Sequence, residues 1–288
     1  MEIVKRSRSI LSMAVWASIL VLPGRVEAAD APLPSSLKAI AGQVHQKHQG
    51  AVVNVKVVLK QKTAIGGEEM QVEDSQLEVT GTVVHPSGLV VVSESAIDPN
   101  SLFAELGEEF SARFEFNSQT EYGEVKILHE DGKEIPARLI LRDKDLDLAF
   151  IAPKEKNSKL PFIEFAKPKP PEIFDDLLIL GRLGRNLNRA SAIVAARHSA
   201  TVKKPRVFHL LSPLPGIIDN GLGCPVFDAT GAPLGLLLKR RGGAQATSIF
   251  NFVEGFEGPA VVLLPGEDIK EVAAQALSEL EKGAPKKG

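Results

Sequence analysis

Cysteine, like tryptophan and tyrosine, occurs only once in this chain. Cys224 stands alone among 288 residues, so no internal disulfide can form and the fold must hold by its core. An excess of either charge is also missing. With 34 basic and 36 acidic residues, the formal net charge is -2, and no global field draws the chain to nucleic acid or to an anionic membrane. The basic run Lys239-Arg240-Arg241-Gly242-Gly243 is local and reads as a solvated hairpin tip. Internal repeats are absent. His45 and His48 lie three apart on a helical pattern, but no third ligand stands nearby. Both read as solvated helix residues, and neither a metal nor a cofactor is expected.

The apolar stretch at residues 10–23 falls short of the roughly 20 residues that a membrane-spanning helix needs. Lys5, Arg6 and Arg8 precede it, and small residues follow, with Val26 and Ala28 at the -3 and -1 positions of a cleavage site. This is the layout of a secretory signal peptide, residues 1–28, cut after Ala28. No cysteine lies near the cut, which argues against a lipoprotein. The chain is therefore expected to be exported, periplasmic or secreted. Membrane attachment is expected only if the segment stays uncleaved.

Beyond the leader the pattern is mostly β. "LPSSLKAIAGQVHQKHQ" has helical spacing at Leu37, Ile40 and Val44 after the capping candidates Ser35 and Ser36. "GAVVNVKVVLKQK" alternates with β-branched residues and predicts a strand. Further short strands are expected at 78–84, 89–93, 112–116, 124–129, 137–142 and 149–151. After two polar, proline-rich connectors they resume at 177–181, 191–198, 207–211, 225–228, 234–238 and 260–264. From Asp268 the stripe Ile269, Val272, Ala273, Ala276, Leu277 and Leu280 predicts a closing helix. Residues 281–288 read as a disordered tail. Many short strands at regular spacing point to a β-barrel protein.

Several segments, in order, resemble the trypsin-like serine proteases of the HtrA/Deg type. They are "VHQKHQGAVVNVKV", "TGTVVHPSGLVVVSESAID", "VKILHEDGKEIPARLILRDKDLDLAFIAP", "DNGLGCPVFDATGAPLGLL" and "VVLLPGEDIKEVAAQAL". The resemblance covers roughly Leu37 to Leu280. It implies an all-β, chymotrypsin-like double β-barrel over residues 29–280, with a short N-terminal helix, a C-terminal helix, a boundary between barrels near 152–172 and an active-site cleft between them.

Hydrolysis in that family needs a Ser nucleophile, a His base and an Asp that orients the His. Carried across by the resemblance, Asp147 of "LDLAF" takes the carboxylate position. Ala96 falls where the imidazole belongs, and Leu222 of "NGLGCP" falls where the hydroxyl belongs. Asn220 takes the oxyanion-loop position. His85 lies at the far end of the preceding strand, and His198 and His209 match no motif position. Cys224 reads as a small buried core residue rather than as a substitute nucleophile, since a thiolate needs an activating base. Leu236 to Arg241 are expected along an S1-like pocket, where Lys239 or Arg240 would select acidic groups. The expectation is a protease fold with no intact catalytic residue, exported, with a polypeptide or protein partner and a peptide- or protein-binding or regulatory role. No peptide-binding PDZ-like segment is expected. The alternative is an active serine endopeptidase with an unrecognised catalytic arrangement.

Overall fold

The computed structural model describes residues 35–65, 68–71, 75–98, 117–129, 132–155, 159–167, 169–212, 221–240 and 260–282. The leader at 1–28, the strand expected at 112–116, Asn220, Arg241 and the tail beyond Lys282 lie outside the described residues.

Helix α1 (Ser35–His48) leads through a 3-10 turn (Gln49–Ala51) into β1 (Val52–Ile65). The first barrel adds β2 (Glu68–Gln71), β3 (Ser75–Val83), β4 (Val90–Ser93), the one-turn helix α2 (Glu94–Ile97), β5 (Asn117–Leu128), β6 (Glu134–Asp143) and β7 (Leu148–Pro153). Its sheet runs β2-β1-β3-β4-β7-β6-β5, and a β1–β5 pairing closes it. The second barrel follows with β8 (Asp176–Arg182), β9 (Ser191–Val202), β10 (Phe208–Ser212), β11 (Pro225–Asp228), β12 (Pro233–Arg240) and β13 (Ala260–Pro265). It closes in the order β10-β13-β12-β11-β8-β9. Every pairing in both barrels is antiparallel. The described residues end on α3 (Gly266–Lys282), whose first turn carries Glu267 and Asp268, as the positive end of a helix dipole favours. This helix takes in the first two residues of the expected tail, Glu281 and Lys282. Among the described residues no helix is long and apolar enough to cross a membrane.

Several strands carry unbroken apolar runs, and the structure shows why. Side chains alternate across a strand, so a continuous apolar run needs both faces buried. On β4, Val90 and Val92 fill the first barrel, while Leu89, just before it, and Val91 face outward into a second cluster. On β7, Ala149 and Ile151 point inward; Leu148, Phe150 and Ala152 join Leu89 and Val91. From the second barrel, Leu178 and Leu180 of β8 and Leu236 and Leu238 of β12 meet them, while Leu177, Ile179 and Leu237 fill the barrel interior. The seam is thus itself a hydrophobic core, and Ile269, Val272 and Ala276 of α3 cover one side of it.

A buried cation also crosses the seam. Arg182, at the end of β8, donates from Nε to the Val52 carbonyl at 2.7 Å and from Nη2 to the Gln49 carbonyl at 2.8 Å. Thr80 Oγ1 donates to the Arg182 carbonyl at 3.3 Å. One side chain therefore ties the second barrel to the start of β1.

Two readings of side-chain exposure are corrected. His48 is buried, with its ring 5.1 Å from that of Phe227, and His45 is half-buried; neither is fully solvated, because α1 lies against the seam. Lys239 and Arg240 are the half-buried end of β12 rather than a solvated tip, and the Arg240 guanidinium stacks on Phe208 at 4.1 Å.

Phe150 is fully buried at the seam. Phe150→Ala should lower stability by about 3–5 kcal/mol, the usual cost of emptying an aromatic core position. Urea denaturation followed by circular dichroism measures it, with the midpoint falling and the slope unchanged.

Candidate active-site cleft

The cleft is built where β4 ends. Ser93 pairs with Leu148 of β7, so the residue before Leu148 lies beside the strand end that leads into α2. That residue is Asp147, whose backbone is left-handed at φ 58°. Its carbonyl accepts from the Glu94 amide at 3.0 Å. Its side chain turns into the protein and is only 2% exposed.

Three donors hold the Asp147 carboxylate. Ser95 N–H donates to Oδ1 at 2.7 Å, Ser93 Oγ donates to Oδ2 at 2.5 Å, and Lys239 N–H, from the second barrel, donates to Oδ2 at 2.7 Å. Burial pushes the carboxyl above the ordinary carboxylate range, while the bonds from Ser93, Ser95 and Lys239 pull against it. Among the described residues no imidazole bonds to Asp147. Its backbone neighbourhood also places Ala96: the residue directly after the Ser95 amide, half-buried in α2. A methyl group can neither take nor give a proton.

An ionic group keeps α2 in place. Glu94 is fully buried and pairs with the Arg142 guanidinium, which also reaches Asp98 Oδ2 at 3.1 Å. Burial works against the Arg142 charge, but its bond to Glu94 and the neighbouring Tyr122, Glu94 and Asp98 leave it above its ordinary value. Arg142 also lies 4.8 Å from the Tyr122 ring centre.

The opposite wall is the turn before β11. Thr82 Oγ1, in the first barrel, donates to the Gly223 carbonyl at 2.7 Å. The Gly223 amide donates to the Leu237 carbonyl at 2.7 Å, and the Leu237 amide returns to the Cys224 carbonyl at 2.9 Å. Gly223 sits at φ +86°, and a Cβ there would lie 2.5 Å from the Thr80 carbonyl oxygen. Only glycine fits such a backbone at such a distance. Leu222, directly before it, is half-buried and carries no hydroxyl. Asn220 lies outside the described residues.

The remaining candidates fall elsewhere. His85 stays in the turn before Leu89, its Nδ1 2.9 Å from Ser87 Oγ. Cys224 is buried, and burial pushes its thiol up to about 12, so it holds no thiolate at neutral pH. Ser93 and Ser95 both precede Ala96 closely but are buried, and Ser93 is committed to Asp147. The contribution of Lys239 to the cleft that sequence reasoning missed is its main-chain amide, a group that no residue pattern reports. Among the described residues, no group of three or more His, Cys, Asp or Glu gathers to hold a metal.

Two measurements check this account. Asp147→Asn keeps one acceptor oxygen but turns an amide donor toward a donor, either Lys239 N–H or Ser95 N–H. It should cost about 1–3 kcal/mol, the penalty of one buried unmade hydrogen bond, read as a shift in the urea midpoint. Cys224 should resist a disulfide reagent such as dithionitrobenzoate at pH 8 in the native protein and react with one equivalent in denaturant.

The profile of the trypsin-like peptidase domain matches residues 79–236. No curated protein matches the chain. The matched region spans both walls of the cleft, from β3 through Asp147 and Gly223 to β12, and more than half of the whole sequence. With two closed six-stranded barrels meeting at this cleft, the chain belongs to the trypsin-like peptidase domain family.

Proposed function

We propose that this chain is a catalytically inactive, exported trypsin-like peptidase homologue, closest in pattern to the HtrA/Deg type, that binds a polypeptide without cutting it. The vestigial triad positions are Ala96 for the base, Asp147 for its orienting carboxylate and Leu222 for the nucleophile; Asn220 stands at the oxyanion-loop position. The observation that carries the reading is the set of donors on Asp147. The carboxylate that would orient a histidine is filled by Ser93 Oγ and the amides of Ser95 and Lys239.

The chemistry follows from what those groups can do. A serine hydroxyl is a weak nucleophile until a base removes its proton, and neither Ala96 nor Leu222 can serve. Losing a triad nucleophile or base costs on the order of 10⁶ in turnover in the best-measured case. Ser93 does not substitute, since it is fully buried and already gives its proton to the carboxylate. A cleft between two barrels still offers strand edges for an extended chain to pair with, which supports a polypeptide partner. Export rests on the signal-type sequence of residues 1–28.

Incubating the purified mature chain with a fluorophosphonate probe and with unfolded casein tests the reading. Neither serine labelling nor cleavage should rise above that of a heat-denatured control. Labelling that disappears on substitution of a single serine would replace this proposal with the active-endopeptidase reading.

A further inference from the structure

A second concavity lies where the loop between β8 and β9 meets the outer face of the first barrel. Val53, Val55 and Val57 of β1 fill that barrel, so Asn54 and Lys56 between them point out of it. Asn54 pairs with Thr80 of β3 and Leu128 of β5, and Lys56 pairs with Glu78 of β3. Directly opposed residues share a face of the sheet, so these side chains form one surface. Lys56, Glu78, Leu128 and Glu134 line one wall of a cavity of about 510 Å³, and Arg185 and Arg189 of the loop line the other. That volume lies in the range of small-molecule sites. None of these residues belongs to the cleft.

The charges along the cavity are unequally engaged. Arg182 Nη1 donates to the Arg189 carbonyl at 3.1 Å and so holds the loop. The Arg189 guanidinium forks onto Glu78, Nε to Oε1 at 2.7 Å and Nη2 to Oε2 at 2.8 Å. Glu134 pairs with Lys126 at 2.9 Å. Both acids therefore have cations of their own. Among the described residues, the side chains of Lys56 and Arg185 make no hydrogen bond or ion pair. The bond to Lys126 first, and the charges of Lys56 and Arg189 after it, hold the Glu134 carboxyl below the ordinary carboxylate range, so the field here is positive even beside an acid. An unengaged amide adjoins these cations. Asn54 is 2% exposed, and its Oδ1 accepts no hydrogen bond among the described residues. A buried polar atom without a partner is destabilising. Asn54 borders the cavity through Leu128, its direct partner across the sheet.

We infer that this cavity binds a small hydroxylated dianion, a hydroxy-dicarboxylate or the phosphate monoester of a polyol, with Lys56 and Arg185 on its anionic groups and Asn54 on its hydroxyl. The two ligand types share the chemistry that is recognised. Each carries oxyanions for a guanidinium and an ammonium, and an O–H that donates to an amide oxygen. A neutral ligand leaves both cations without a counter-charge, and a dianion without a hydroxyl leaves Asn54 Oδ1 bare. Glu78 and Glu134 on the same wall repel a long polyanion, which sets the ligand apart from nucleic acid. One wall comes from each barrel, so an occupant bridges β1 and β3 to the β8–β9 loop. Such a ligand binds the folded chain alone and stabilises it as its concentration rises above the dissociation constant. The site does not depend on whether the cleft cuts peptides.

Calorimetric titration of the untagged full chain with L-malate and with glycerol 3-phosphate tests the inference. Succinate and inorganic phosphate serve as the comparisons that lack the carbon-borne hydroxyl, and the melting temperature is the second readout. At low ionic strength, malate or glycerol 3-phosphate should bind saturably, one per chain, raise the melting temperature and lose affinity as salt rises. Which of the two binds identifies the class of anion. The matching comparison should bind about fivefold more weakly or worse, the effect of one unmade hydrogen bond at a buried acceptor. Lys56→Gln and Arg185→Gln should each weaken binding about tenfold or more, as expected for a hydrogen bond between charged groups. Asn54→Val should erase the preference for the hydroxylated ligand. Lys270→Gln, exposed on α3, should leave binding unchanged. Arg185 is exposed, so its variant decides the matter even if a substitution at Asn54 or Lys56 disturbs folding. Absence of saturable binding by both hydroxylated ligands would overturn the inference. So would binding that survives Arg185→Gln, or a comparison ligand that binds as tightly as its hydroxylated counterpart.

Discussion

Burial of strands on both faces is the constraint on which this molecule depends. A barrel buries one face of each strand by closing on itself. Here β4, β7, β8 and β12 must hide the other face as well, and they do so against each other across the seam. Leu89, Val91, Leu148 and Phe150 from one barrel meet Leu178, Leu180, Leu236 and Leu238 from the other, and all are at most 1% exposed. Without disulfides, this shared core is what fixes the relative position of the barrels. The cleft inherits its precision from it, because β4, β7 and β12 each deliver a group to the Asp147 carboxylate or to its margins.

Polar contacts then refine what packing has set. Arg182 reaches the carbonyls of Gln49 and Val52, Thr82 reaches the Gly223 carbonyl, and the Lys239 amide reaches Asp147. Each bond joins one barrel to the other, and each involves a main-chain group. Gly223 apart, such bonds depend little on the identity of the residue that supplies the backbone. The architecture of the cleft can therefore stand intact whichever side chains line it.

The sequence made the barrels legible because alternation, turn residues and β-branched runs are local signals. The strands expected at 149–151, 225–228 and 234–238 became β7, β11 and β12. The helix at the C-terminus was readable from its stripe, though its last turn extends into what looked like a tail. Asp147 could be singled out because it sits in a recognisable segment. Its partners could not, because one is an amide 92 positions away and another is a serine hydroxyl 54 positions away. His48 was misread for the same reason: nothing in α1 shows that Phe227 will lie against it. The contact of His198 with His209 depends on a bulge at Ser199, which leaves no mark in the residue pattern. Contacts that arise from long-range register are invisible to any reading that moves along the chain.

The left-handed backbone at Asp147, φ 58°, has a wider meaning. Aspartate and asparagine are among the few residues other than glycine that enter this region readily. Glycine would leave three donors without an acceptor, and asparagine would leave one. Aspartate alone meets both the torsional and the hydrogen-bonding demands of the site. Its presence is thus accounted for by architecture, and a surviving acid in a fold of this kind is no testimony to a surviving enzyme.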